Sequence, residues 1–332
     1  MAKRRTFLET AGTIGVTGLL AGCLSSGNDG GDSDGGDSDG SDGDGSDGDS
    51  GPKYGNGEIN FVMSPSEPQQ KMRQQYQPVK EHLSEEIGMP TKLKYARNYS
   101  AVLQAMGSGT SDIAETGPFA AALGVRDDKC NIALQRKGYG AWTYSSVIVT
   151  KENSDIESLS DLEGKQIGFA DRLSASGALY PLYMLQDAGL DIGGYPMERG
   201  SADFRGTFSG HEQAFQQLKT GQVPAVGVGK FIALNDNREL KDGYRYVETE
   251  DGIPRAPIVT SPELSDSEHD DLVNALKNAP ESMYLGANGE EGGGDDLWFS
   301  DVRPASRETY EPVVNVAKSL GIETDLLDGG SS

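Results

Sequence analysis

An α/β fold of two lobes, joined by two crossings of the chain, is what this sequence predicts. From residue 57 onward, strand-like apolar runs alternate with segments of helical periodicity, and the alternation restarts once near the middle of the chain. Strands separated by helices imply parallel sheets covered on both faces. The stretches near Ser145–Lys151 and Glu248–Thr260 link the two sets, so lobe 1 is expected at 57–147 and 256–332 and lobe 2 at 148–255.

Taken in order, GEINFVMSP reads as a strand ending in a loop. QYQPVKEHLSEEIGMP follows with Tyr76, Val79, Leu83 and Ile87 on one helical face, stopped by Gly88 and Pro90. TKLKYAR is a second strand, NYSAVLQAMGSG a short helix capped by Asn98 or Ser100, and SDIAETGPF a third strand turning at Gly117-Pro118. SSVIVTKE is a β-branched run, and LSDLEGKQIGFAD leads through a turn into another strand. Helices are expected over Ser176–Gly189 and HEQAFQQLKTGQ, then an apolar strand and turn in PAVGVGKFIALN. YRYVETE and APIVT are further strands, and GANGEEGGG is a surface loop. DSEHDDLVNALKNA and RETYEPVVNVAKSLG are helices.

The first 56 residues read differently. Paired Arg4 and Arg5 before a short apolar segment form a twin-arginine export signal over 1–23, too short for a mature membrane span. The small residues before Cys23 resemble a lipobox, in which that cysteine is lipidated and anchors an extracytoplasmic protein to the cell membrane. Residues 24–56 are dominated by Gly, Ser and Asp, which cannot bury a core, so a disordered tether is expected.

The net charge is −23: residues 1–23 carry +2, the nine aspartates of 24–52 carry −9, and the rest of the chain carries −16. Such a surface excludes nucleic acid as a partner and suits a high-salt habitat, so any anion must be held by local donors. With Cys23 assigned to lipid, Cys130 is left without a disulfide partner and reads as a small buried hydrophobe. The three histidines, at 82, 211 and 269, are too scattered for a recognisable metal site.

Two short stretches carry the chemistry. Ser174-Ala175-Ser176-Gly177 follows the strand KQIGFAD and opens a helix, where unpaired backbone N–H groups and the dipole favour an anion. Two hydroxyls would add donors and Gly177 would permit close approach; the same residues also suit an ordinary serine N-cap. Ser209-Gly210-His211 precedes a second amphipathic helix, placing an imidazole that can donate to an anion or serve structurally. Arg172 and Arg205 flank these stretches and suit either added charge or a solvated surface.

Together with QQYQPVKEHLSEEIGMP, ARNYSAVLQAMGSGTSDIAETGPF and YSSVIVTKENSDIESLSDLEGKQIGFAD, these stretches, in this order over about residues 58–320, resemble the phosphonate-binding proteins of ABC importers. The resemblance implies a type II periplasmic binding protein fold and capture of a small phosphorus oxyanion between the lobes. It also implies permease and ATPase subunits as partners, and no cofactor or metal; the chain itself is expected to be a monomer. It assigns Ser174 and Ser176 as hydroxyl donors, the N–H groups of Ala175 to Gly177 as further donors, and His211 as the closing residue. Tyr99, Tyr144 and the Thr116–Phe119 loop face the ligand by the same argument. Ala175 replaces a threonine of that pattern. Lys230 and Arg255 stand where relatives that bind aminoalkylphosphonates carry acids, which implies an anion without an amine: phosphate, phosphite or a simple phosphonate.

Two other classes were weighed. A serine hydrolase would use Ser176 and His211, but the G-x-S-x-G elbow is missing and no acid can be assigned to the imidazole. A ligand-sensing module for a receptor would share the fold and pocket.

Overall fold

The computed structural model describes residues 54–322. The expected export signal at 1–23, Cys23 and the expected tether up to residue 53 lie outside them. Tyr54, placed in the tether above, belongs to the fold: it opens the short helix α1 (Tyr54–Gly57) and is 2% exposed. Its N–H donates to Glu268 Oε1 at 2.5 Å and its hydroxyl to the Glu268 carbonyl at 3.1 Å. Glycines and prolines on either side hide this aromatic anchor from any periodicity argument.

β1 (Ile59–Met63) is buried throughout, and α2 (Gln69–Gln75) and α3 (Gln77–Ile87) carry the chain to β2 (Thr91–Tyr95). Gly88 ends α3 at φ 73°, a left-handed cap that glycine adopts without strain. α4 (Tyr99–Gly107) and β3 (Ile113–Glu115) follow, then α5 (Pro118–Arg126) and β4 (Asn131–Gly138), neither foreseen in the sequence. The chain then enters the second sheet with β5 (Thr143–Lys151), β6 (Gln166–Phe169), a π-helical turn (Ala175–Leu179) and α6 (Tyr180–Asp187). β7 (Arg205–Phe208), α7 (His211–Lys219), β8 (Ala225–Gly229) and β9 (Tyr244–Pro254) complete it. β10 (Pro257–Thr260), α8 (Asp266–Lys277), β11 (Phe299–Pro304) and α9 (Glu311–Ser319) return to the first.

The first sheet has the order β11-β4-β10-β3-β1-β2 and the second β7-β6-β8-β5-β9. The expected parallel sheets are mixed. β1, β2 and β3 are parallel, with Phe61 opposite both Leu93 and Ile113, as are β6, β7 and β8. β10 and β5, the strands that begin just after each crossing, run antiparallel to their neighbours. Both crossings, 139–142 and Arg255-Ala256, are short links that carry the chain from one sheet to the other. The expected boundary at 147/148 falls inside β5, which pairs within the second sheet from Thr143 onward, so the chain changes sheet at 139–142. Arg255 N donates to the Trp142 carbonyl at 2.9 Å, tying one crossing to the other.

Apolar clusters cover the outer faces of both sheets, around Phe61 and Leu83 on the first and Val149 and Leu218 on the second. A third cluster is shared: Val62, Leu103 and Phe119 continue through Leu179 and Val313 to Ile148 and Phe169. α9, assigned to lobe 1 above, packs on α5 and also on α6 and β9, so it belongs to both halves. Cys130 is buried, and burial pushes its thiol up to about 12, as suits a small core residue.

Candidate functional site

β6 lies between β7 and β8 and is buried from Ile167 to Phe169. At its carboxyl end, Ser174 takes an extended conformation (φ −76°, ψ 125°) and caps the turn that follows. Its carbonyl accepts from both Ala178 N (3.2 Å) and Leu179 N (3.0 Å), the widened spacing of a π-turn. Pro181 has no N–H to bond the Gly177 carbonyl, and Ala170 N donates to that carbonyl instead, at 2.8 Å. Gly177 is required here: a Cβ would lie 2.3 Å from Ala170 Cβ and 2.8 Å from His211 Cε1. The close approach expected of a ligand is made by the protein's own loop and imidazole.

His211 opens α7 and is 4% exposed. Its Nδ1 accepts from Gly229 N at 3.3 Å, so the ring proton resides on Nε2, which donates to Ser174 Oγ at 3.1 Å. Ser174 Oγ also accepts from Gly177 N at 3.1 Å. With both lone pairs engaged, the Ser174 hydroxyl has only its proton left to offer, and it is a donor. His211 therefore fixes Ser174 in the donating state. The same tautomer excludes nucleophilic catalysis, because a general base needs a free Nε2 lone pair and an acid on Nδ1.

Burial pulls the His211 pKa from 6.5 down to about 4. Between those values the unfolded chain binds a proton that the folded chain refuses, so stability present above pH 6.5 is lost as pH falls through this window. Urea unfolding of wild type and His211→Gln at several pH values should differ by this slope, on the order of 3 kcal/mol once complete. Parallel curves for the two proteins would place a charged imidazole in the fold.

Ser176 is 1% exposed. Its carbonyl accepts from Ser146 Oγ at 2.7 Å, and both its side chain and its N–H hydrogen-bond to the Tyr144 hydroxyl. Tyr144, on β5, is half-buried, and burial raises its pKa. Tyr99, from the first sheet's side, is the first residue of α4, capped by Asn98, whose Oδ1 accepts from Ala101 N at 2.8 Å. A Cβ on Gly117 would lie 2.9 Å from the Tyr99 ring, so this glycine admits the aromatic residue. Thr116 beside it is fully buried, with no partner for Oγ1.

Behind that loop lies a charged network the sequence reading missed. Arg136 and Glu115 form a buried ion pair at 2.8 Å, with side chains 1% and 2% exposed. Glu115 Oε1 accepts from Ser64 N (2.6 Å) and Ser64 Oγ (2.7 Å). Arg136 donates to Tyr76 Oη (2.9 Å), to the Ala256 carbonyl (3.1 Å) and to the Thr116 carbonyl (3.4 Å). It ties β4 to β3, to Tyr76 and to the second crossing, beside the Thr116 loop.

The two cations expected beside the ligand part company. Arg255, in the second crossing, is 7% exposed, and among the described residues its Nε has no hydrogen-bond partner and no carboxylate forms an ion pair with it. Its guanidinium lies 5.4 Å from the ring centroids of both Tyr139 and Tyr144 and 5.8 Å from that of Trp298. Burial lowers its pKa to about 10, so the charge persists at neutral pH. Lys230 instead extends over the Tyr246 ring, 5.4 Å from its centroid, beside the outer cluster of the second sheet. Its place next to Gly229 brings its backbone near the site while the side chain leaves it. Arg205 is exposed at the start of β7, the far end from Ser209.

Beside the loop that leads into the Ser174 turn lies a cleft of about 670 Å³, walled by the loops after β1, β2, β6 and β7; of the expected ligand-binding residues Tyr99 and His211 line it, whereas Ser174 to Gly177, Tyr144, Lys230 and Arg255 do not. These are the carboxyl ends of parallel strands, where α/β sheets place ligands. Tyr99 and His211 reach its floor. Asp171 spans it: Oδ2 accepts from Tyr99 N at 3.4 Å, Oδ1 from Leu173 N at 2.8 Å, and burial raises its pKa.

The family model described as ABC transporter, phosphonate, periplasmic substrate-binding protein matches residues 61–310. The phosphate-import protein PhnD of Mycolicibacterium smegmatis is 27% identical over 172 residues, covering 50% of this chain and 53% of that protein. The phosphonates-binding periplasmic protein of Escherichia coli is 27% identical over 236 residues, covering 66% and 65%. The match thus spans only half to two thirds of these relatives' own lengths. A binding protein component of an ABC phosphonate transporter from Pseudomonas aeruginosa shares the fold, with a TM-score of 0.67 at 22% identity over 82% of this chain and 89% of that one.

Proposed function

This chain belongs to the periplasmic substrate-binding proteins of phosphonate ABC transporters, and from that premise we propose that it captures a phosphorus oxyanion without an amine, as phosphonate, phosphite or phosphate. The family is one of binding proteins, not enzymes, and the imidazole tautomer agrees. One observation carries the reading: a buried serine hydroxyl held as a donor by His211; the buried Arg255, which meets the Ser176 turn through Tyr144, adds a cation with no ion-pair partner among the described residues. An uncompensated guanidinium in a water-poor setting favours a ligand that brings negative charge and disfavours one that brings an ammonium. With Lys230 turned away, Arg255 is the one of the two expected cations left to disfavour an amine.

Ser174, Ser176 and the Ala175 N–H are the donors from the second sheet, the Gly177 N–H being spent on Ser174 Oγ, while Tyr99 and the Thr116 loop close the site from the first. Ligand binding shifts the population towards a closed form that a permease recognises, with ATP hydrolysed by a separate subunit. A lipid on Cys23 after twin-arginine export would keep a monomeric binder at the cell membrane, and the acidic composition fits a halophilic setting.

Titration calorimetry with methylphosphonate, phosphite, phosphate, sulfate and 2-aminoethylphosphonate tests this. At least one of the first three is expected to bind about tenfold or more tightly than the aminoalkyl compound, the value of one unfavourable charge contact. Preference for the amine, or silence from every phosphorus compound, overturns the assignment.

A further inference from the structure

We infer that the mouth of the cleft is a second anion subsite, formed by the guanidinium groups of Arg172 and Arg97, and that the preferred ligand carries a second negative group on a short chain. The inference rests on the reading of the Ser174–Gly177 turn as the place of the phosphorus group. Its chemical class is a phosphonate or phosphate bearing a carboxylate or a further phosphoryl group.

Arg172 stands in the loop after β6 and Arg97 in the loop after β2, and both line the cavity that Tyr99 and His211 floor. Arg172 is pre-set. Its Nη1 donates to the Pro196 carbonyl and, at 2.9 Å, to the Met197 carbonyl, and the guanidinium carbon lies 4.3 Å from the Phe208 ring centroid. Those contacts fix the plane of the fork while leaving Nε and Nη2 without a protein partner. A guanidinium immobilised this way loses little entropy when it takes a carboxylate or phosphoryl oxygen. Arg97, exposed on the opposite wall, has no ion pair among the described residues.

The acids of the same cleft are otherwise engaged. Glu67 holds Lys71 at 2.6 Å, and Glu212 lies within electrostatic reach of the same ammonium. Asp171 is turned onto the N–H groups of Tyr99 and Leu173. Asp171 also lies within electrostatic reach of Arg172, so what the two arginines offer a ligand is open hydrogen-bonding positions on their guanidinium groups, with Arg97 in no ion pair among the described residues. Arg172 and Ser174 are two residues apart, so their Cα atoms are separated by no more than about 7 Å. A second anion one to three bonds beyond phosphorus extends the ligand towards the Arg172 loop. The cavity also exceeds what an inorganic ion needs: at about 30 Å³ per water, phosphate displaces two or three waters, on the order of 60–90 Å³.

The test is calorimetry on the full chain with methylphosphonate, carbamoylmethylphosphonate, phosphonoacetate and methylenediphosphonate. Phosphonoacetate and methylenediphosphonate are each expected to bind about tenfold or more tightly than methylphosphonate, as charge-assisted hydrogen bonds allow. The neutral carbamoyl compound, matched to phosphonoacetate in size, should gain less than about twofold. In the Arg172→Gln/Arg97→Gln protein the ratio of phosphonoacetate to methylphosphonate affinity should fall to about one. A ratio near one in the unmodified chain, or a high ratio that survives both substitutions, overturns the second subsite while leaving the phosphorus site intact. Failure of all four compounds, with phosphate and phosphite also silent, removes the phosphorus site itself, and this inference with it.

Discussion

Glu115→Gln is expected to cost the fold about 3–5 kcal/mol, the penalty of stranding one buried partner of an ion pair. Glutamine keeps an oxygen for Ser64 N and Oγ, so the loss isolates the charge that Arg136 no longer meets. For a body of this size each kcal/mol moves the midpoint by roughly 2–4 °C, so thermal unfolding should begin some 6–20 °C lower. Replacing both members, as Glu115→Gln with Arg136→Met, should recover most of that loss, because no bare charge remains. Urea unfolding with an unchanged slope checks both proteins. A single-variant cost below about 1 kcal/mol would mean that water reaches the pair after all.

Arg255→Met is expected to do the opposite. The side chain keeps its length against Tyr144 and Trp298 and sheds a charge that has no ion-pair partner among the described residues. Loss of the ring contacts costs about 0.5–2 kcal/mol, and relief of an unpaired buried cation offsets it, so ligand-free stability should change by about 1 kcal/mol or less. Affinity for the anion should fall by about 2–5 kcal/mol, or roughly 30- to 5,000-fold. Calorimetry beside thermal unfolding separates the two quantities. Retained affinity would move the anion away from the crossing.

The alternation of strands and helices, the caps at Asn98 and Gly88 and the amphipathic face of α7 were legible because each depends on neighbours in sequence. β4 was not, since NIALQRKG carries Gln135 and Arg136 into a buried inner strand, and their partners Glu115, Tyr76 and Arg303 lie 21, 60 and 168 positions away. β11 escaped for a similar reason: FSDVRP mixes charges with a terminal proline that an edge strand tolerates. At the site, Ser174, Gly177 and His211 were identified, but their relation was not. That Gly177 makes room for an imidazole, and that His211 serves the serine, follows from an encounter of residues 34 to 37 positions apart. Lys230 and Arg255 looked equivalent in sequence; only the course of each side chain distinguishes them. A buried cation signals itself in sequence only through the acid it lacks.

α9 rests on elements of both sheets, and the apolar cluster it joins has no seam between them. Cutting the chain at either short link would therefore not yield two autonomous pieces. Each fragment would face water with the oily surface that its counterpart normally covers, and each would be prone to clump. Heating should accordingly melt the whole body in one step, with no half-folded species outlasting the other.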